Sequence, residues 1–158
     1  MAREAAWLTA YKQGLAAVLQ SHQRAFSRPL IASAQPGHSK RLLCQNLFAC
    51  GFPVLDHGTE QDPAISYAND SALQLWETRW DELIGMPSRL TAPNSERAER
   101  SSALGQAKRL DAVQNYHGIR LSRKGRRVVI NKARLWTLWD AEARVCGQAA
   151  CFSDWWWL

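Results

Sequence analysis

The side chains able to do chemistry in this chain are four cysteines, four histidines and one dense run of cations. Cys44, Cys50, Cys146 and Cys151 include no C-x-x-C pair. Cys146 and Cys151 stand five residues apart, so a regular strand would point them to opposite faces. Cys44 and Cys50 stand six apart, on different sides of a helix. His22, His38, His57 and His117 are scattered along the chain. A metal site needs convergent ligands, so no metal is expected. The thiols read as free and mostly buried, as in a cytosolic protein. No nucleophile elbow, Walker loop or G-x-G-x-x-G occurs. No enzymatic activity is expected.

The cations are the second chemical feature. Arg120, Arg123, Lys124, Arg126, Arg127, Lys132 and Arg134 fall in a stretch without an acid. The formal charge of the chain is +6, and outside this stretch 13 basic residues face 14 acidic ones. The whole positive excess therefore sits in one segment. It reads either as a footprint for an anionic partner or as the solvated outer face of a hairpin.

The elements that must position these groups follow from periodicity. Trp7, Leu8, Tyr11, Leu15, Val18, Leu19 and His22 form one helical stripe. Ser39 suits the N-cap of a second helix carrying Leu42, Leu43, Leu47 and Phe48, which stops at Gly51 before Pro53. Neither helix can bury its own stripe, so both must pack on the rest of the chain or on a second copy. Residues 52–55 and 65–68 are short strand candidates, with Asp56-His57-Gly58 and Gln61-Asp62-Pro63 as turns. A short helix with Ala72, Leu73, Leu75 and Trp76 follows, then one helical turn closed by Gly85. Residues 94–110 form a longer, mostly solvated helix. Residues 113–121, 126–139 and 145–153 are three strands, the first two joined by a turn holding Gly125. Sequential strands with short loops make an antiparallel meander. The class is α+β. Residues 1–50 are set down as a helical extension and 51–158 as the sheet domain.

The length of 158 residues, 46% hydrophobic, suffices for a real core. No window approaches a membrane span, and no secretory signal is visible at the start. A cytoplasmic location is expected.

This order of elements is similar to that of a PAS domain. Ile65-Ser66-Tyr67-Ala68-Asn69-Asp70 resembles its opening strand and helix handover. Trp80-Asp81-Glu82-Leu83-Ile84-Gly85-Met86-Pro87 resembles the following turn. Within that superfamily the chain resembles the MEKHLA domain, in the small free-standing bacterial form. Tyr67-Ala68-Asn69, Leu75-Trp76-Glu77, residues 80–92, the 118–127 hairpin, Trp136 and Gly147-Gln148-Ala149-Ala150 with Phe152-Ser153 carry the likeness. The resemblance implies a PAS-like five-stranded antiparallel sheet with helices on one face, preceded by two N-terminal helices. It also implies a core able to hold a small ligand. Trp76, Leu83, Leu90, Tyr116, Trp136, Gln148 and Phe152 are the candidate lining. Parity places Cys146, Gln148, Ala150 and Phe152 on one face of the last strand. Gln148 there either contacts a ligand or pairs with a neighbouring side chain.

Neither flavin nor haem is expected as a cofactor. Pro87-Ser88-Arg89-Leu90-Thr91-Ala92 lacks the cysteine of flavin photoreceptors, and Phe152 stands where they carry glutamine. Residues 94–110 hold no histidine for haem, and His117 reads as a half-exposed strand residue. The implied function is a sensory or protein-interaction module in the cytoplasm, with a possible small-molecule ligand. With no sequence left after the last strand for an output domain, its signal would pass to another protein or to itself as a homodimer. The aromatic tail from Trp155 to Leu158 is expected to dock on the N-terminal helices or on another protomer. A nucleic-acid surface built from residues 120–134 with Trp136 or Trp139, and a plain dimerisation scaffold, are the alternatives.

Overall fold

The structure is a computed structural model that describes residues 4–10, 14–32 and 39–158. Tyr11 of the first stripe and His38 lie outside the described residues. Three helices come first: α1 (Ala6–Ala10), α2 (Ala16–Phe26) and α3 (Lys40–Ala49). Ser39 caps α3 as its sequence predicts, accepting from the Leu42 N–H at 3.1 Å. Strands β1 (Val54–His57) and β2 (Ile65–Ala68) follow, then α4 (Asp70–Leu75) and α5 (Trp80–Leu83). Two 3-10 turns, Ser88–Thr91 and Asn94–Glu96, lead into α6 (Arg97–Leu110). The chain ends in β3 (Ala112–Leu121), β4 (Arg127–Trp139), β5 (Val145–Cys151) and β6 (Asp154–Trp157).

The sheet is antiparallel with the order β2-β1-β5-β4-β3. The expected meander is therefore present. Gly125 makes the β3–β4 turn with φ +82°, and its N–H donates to Ser122 O at 3.0 Å. β6 adds a sixth strand in the line of β5. Arg134 pairs Cys151 and Asn131 pairs Asp154, so both strands share one register along β4. The tail thus extends the sheet instead of docking on the helices or needing a second protomer. Backbone pairing through Trp157 satisfies groups that an aromatic tail alone would leave open.

Two turn residues are corrected. Asp56 and His57 belong to β1, where they pair with β2 on one side and with Ala149 and Gln148 on the other. Ladder partners on both edges override the local turn preference of Asp-His-Gly.

Helices cover both faces of the sheet, where one was expected. On one side α4, α5 and α6 enclose Leu55, Ile65, Trp76, Leu83, Ile130, Leu135 and Phe152. On the other, Leu8, Leu15, Val18, Leu30, Cys44 and Leu47 lie over Val54, Tyr67, Trp136, Leu138 and Cys151. Trp136 is fully buried there, against His22 at 5.0 Å between ring centroids. Most of each N-terminal stripe thus finds its apolar cover within its own chain, while Leu42 stays exposed.

Asn69 joins the layers. It is fully buried and caps α4, its Oδ1 accepting from Ala72 N–H at 3.1 Å and from Val54 N–H at 2.9 Å. Its Nδ2 donates to Leu47 O at 3.2 Å and Phe52 O at 2.8 Å. Among the described residues no helix is long and apolar enough to cross a membrane, and no cluster of potential metal ligands occurs.

Candidate functional site

β1, β3, β4 and β5 meet α6 around a cavity of about 50 Å³. Leu55, Ile65, Leu104, Ile130, Leu135, Ala150 and Phe152 give it apolar walls. Thr91, Gln148, His57, Trp76, Arg100 and Arg120 add polar groups.

Of the candidate lining, Trp76, Gln148 and Phe152 come together here. Leu83 and Leu90 pack in the same core without facing the cavity. Tyr116 stands behind it, bonded to Arg120. Trp136 is on the opposite face of the sheet and is withdrawn from the site. Trp136 and Leu138 alternate with Leu135 on β4, so facing one core excludes the other. Cys146 is also on the opposite side, in a hollow with Leu15, Tyr67 and Leu138. The register slips between Leu138 and Trp139, so a bulge removes Cys146 from the face that holds Gln148. The four cysteines are free, and none lines the cavity.

Gln148 resolves partly as a pairing residue: its Nε2 donates to Leu104 O at 2.9 Å, tying β5 to α6. Trp76 is 2% exposed, and its indole Nε1 is buried without a hydrogen-bond partner. His57 is 8% exposed. Its Nδ1 lies 2.9 Å from Gly58 O, and a carbonyl only accepts, so Nδ1 carries the proton. Nε2 is then a buried lone pair with no partner. Burial holds this imidazole below its ordinary range, and Arg100 pushes the same way.

Arg100 and Arg120 are the two site residues that sequence reading missed. Arg120 is 6% exposed. It donates to Ile119 O at 2.9 Å and to the Tyr116 hydroxyl at 3.2 Å. Tyr116 in turn donates to Glu99 Oε2 at 2.7 Å. Neither guanidinium has a carboxylate within ion-pair distance among the described residues. Arg100 is lowered to about 10 by burial and by the like charge of Arg120. Signals for both existed. Arg120 shares strand parity with Tyr116, and Arg100 stands one helical turn before Leu104. Gly118 completes the arrangement: a Cβ there would sit 2.5 Å from the Tyr116 hydroxyl and 3.0 Å from Arg120 Nη1.

Asp56 also borders the cavity, but its carboxyl is bonded to Ser66 of β2. Burial raises it to about 7, against the lowering effect of that bond.

The basic run disperses. Arg120 turns inward, and Arg126 stacks on Trp157 at 3.9 Å and pairs Glu77 at 2.9 Å. Arg134 lies over Phe26, and Arg123 donates to Met86 Sδ at 3.3 Å. Lys124, Arg127 and Lys132 are left exposed. His117 is exposed on β3, 3.3 Å from Asn131 Oδ1.

Residues 12–157 match the model of the MEKHLA domain. No curated protein matches. Among solved structures, the chain is similar to an RNA-binding light-oxygen-voltage receptor. The TM-score is 0.66 at 17% identity, over 80% of this chain and 36% of that one, so this chain spans about a third of the receptor's length. It is also similar to the PAS domain of a protein from Colwellia psychrerythraea, with TM-score 0.63 and 10% identity over 72% and 94% of the two chains. A light-oxygen-voltage domain studied with a flavin analogue gives TM-score 0.58 and 13% identity over 74% and 84%. Identities this low establish the PAS-like fold.

Proposed function

The chain belongs to the MEKHLA domain family, and on that premise we propose that it is a PAS-like sensory or protein-interaction module. It binds a small molecule in the cavity between its sheet and α6. The observation that carries this reading is the cavity's polar content. Buried polar groups normally find partners, yet Trp76 Nε1 and His57 Nε2 have none, and both residues face the same small apolar space. A bound molecule would supply those partners.

We take the module to be cytoplasmic, a reading supported by its four free thiols, two of them buried. Its signal leaves through contact with another protein or a second copy. Trp156 and Leu158 at the β6 end are exposed apolar groups suited to such contact. A nucleic-acid role draws less support, because the run 120–134 spends Arg120, Arg126 and Arg134 on contacts within the chain.

Native mass spectrometry tests the reading. The purified protein should carry a small molecule, or take one up from a metabolite mixture, and Ala150→Leu should abolish this by filling the cavity. An empty protein that takes up nothing would contradict it.

A further inference from the structure

We propose that the molecule held by this cavity is a small aliphatic monocarboxylate, its carboxylate lying between Arg100 and Arg120 and its carbon chain against Leu104, Ile130 and Phe152. The inference rests on the reading of the cavity as a ligand site and adds the chemical class.

Charge is the first argument. Arg100 and Arg120 line one apolar space, and among the described residues neither has a carboxylate in ion-pair contact. A buried cation without a counter-ion is costly and is normally paired. Glu99 reaches Arg120 only through the Tyr116 hydroxyl. Below pH 7, where Asp56 on the same cavity holds its proton, two cations against one indirectly linked anion leave a single positive charge, which a monoanion balances. A doubly charged group would overshoot it.

Geometry is the second. A guanidinium presents planar pairs of N–H donors that fit a carboxylate. Arg120 has five N–H donors, and its two bonds within the chain occupy only part of them. Trp76 adds an unpartnered indole N–H to the same space. Unpartnered donors thus outnumber the one unpartnered acceptor, His57 Nε2, to which a water beside the acid can donate.

Size is the third. The cavity measures about 50 Å³. That is room for a few water-sized groups, which suits a short-chain acid such as acetate or propionate. Its remaining walls are apolar, which favours an aliphatic chain over further polar groups.

The test is calorimetric titration of the full chain with sodium acetate, propionate and butyrate, at constant ionic strength, against propionamide and sodium chloride. At least one acid should bind, and propionamide and chloride should not. Arg100→Gln should weaken binding at least about tenfold, the loss of one charged hydrogen-bond pair. Without ligand, this variant should melt at or above the parent temperature, because a half-buried cation repelled by Arg120 has been removed. That keeps loss of binding distinct from loss of fold. Arg127→Gln, an exposed cation, should bind as the parent does. If propionamide binds as well as propionate, or if Arg100→Gln leaves the acid affinity intact, the carboxylate assignment is overturned while the cavity remains a ligand site. If none of these probes binds and native mass spectrometry finds the protein empty, both readings fall.

Discussion

Arg120 and Tyr116 meet over the bare backbone of Gly118, the guanidinium donating to the phenol oxygen at 3.2 Å. Three residues at alternate positions of β3 thus make one unit, and the absent side chain at its middle lets the outer two touch. Gly118→Ala should displace the ends of both side chains. The Arg120 end is flexible but the buried Tyr116 ring is not, so the melting temperature should fall by several degrees. Propionate affinity should fall roughly fivefold or more, as expected for about 1 kcal/mol of lost positioning. Calorimetry on the parent and the variant checks both numbers.

Gly147 fails differently. A Cβ there would collide with the backbone carbonyl of His57 on the neighbouring strand, which cannot swing aside. Gly147→Ala should cost about 2 kcal/mol or more, as overpacking against a rigid neighbour does. The urea midpoint should drop with an unchanged slope. An unaffected midpoint would mean that β1 and β5 are further apart than described.

Two buried groups pull the pH dependence of stability in opposite directions. Asp56 holds its proton more tightly when folded, at about 7 against 3.8. Its contribution is fullest below pH 3.8 and is lost as pH rises to 7. His22 is lowered from 6.5 to about 4, by burial first and then by Arg134. Its contribution is full above pH 6.5 and is lost as pH falls to about 4. Between those limits the two offset each other. Asp56→Asn should therefore lose stability from pH 6.5 down to 4 more steeply than the parent. His22→Asn should lose it as pH rises through the same range. Urea midpoints at four or five pH values decide this; parallel curves for all three proteins would contradict it.

Removing residues 1–50 should uncover Val54, Trp136, Leu138 and Cys151 together. Burying even one such large side chain is worth about 1.5–3 kcal/mol, so the truncated chain should lose cooperative unfolding and bind a hydrophobic dye. A truncated protein that melts like the parent would show the helices to be a separate extension. Light scattering on the full chain reports alongside whether it pairs.

Much of this was legible in the sequence, for reasons tied to particular residues. Ser39 and Asn69 cap helices because their side-chain oxygens suit free N–H groups, and that chemistry is local. Gly125 marked its turn in the same way. Asp56 and His57 were not legible, because their strand exists through partners about 10 and 90 residues away. The core that Trp136 enters is not legible, because parity leaves a choice of faces until a second covering layer is known. Cys146 was misplaced because a bulge is not visible in alternation. Arg120 was lost among neighbouring cations that share its charge but not its burial.

The most direct measurement is a proton–nitrogen correlation spectrum of the labelled protein titrated with propionate. The Trp76 indole N–H is buried and unpartnered at the cavity wall, whereas Trp155 and Trp156 are exposed at the β6 end. Occupation of the cavity should move the Trp76 indole resonance and the amides of Leu55 and Ala150, saturably, and leave the Trp155 and Trp156 indoles in place. Saturable shifts confined to Trp155 and Trp156, or a Trp76 resonance that does not move at any propionate concentration, would contradict the account.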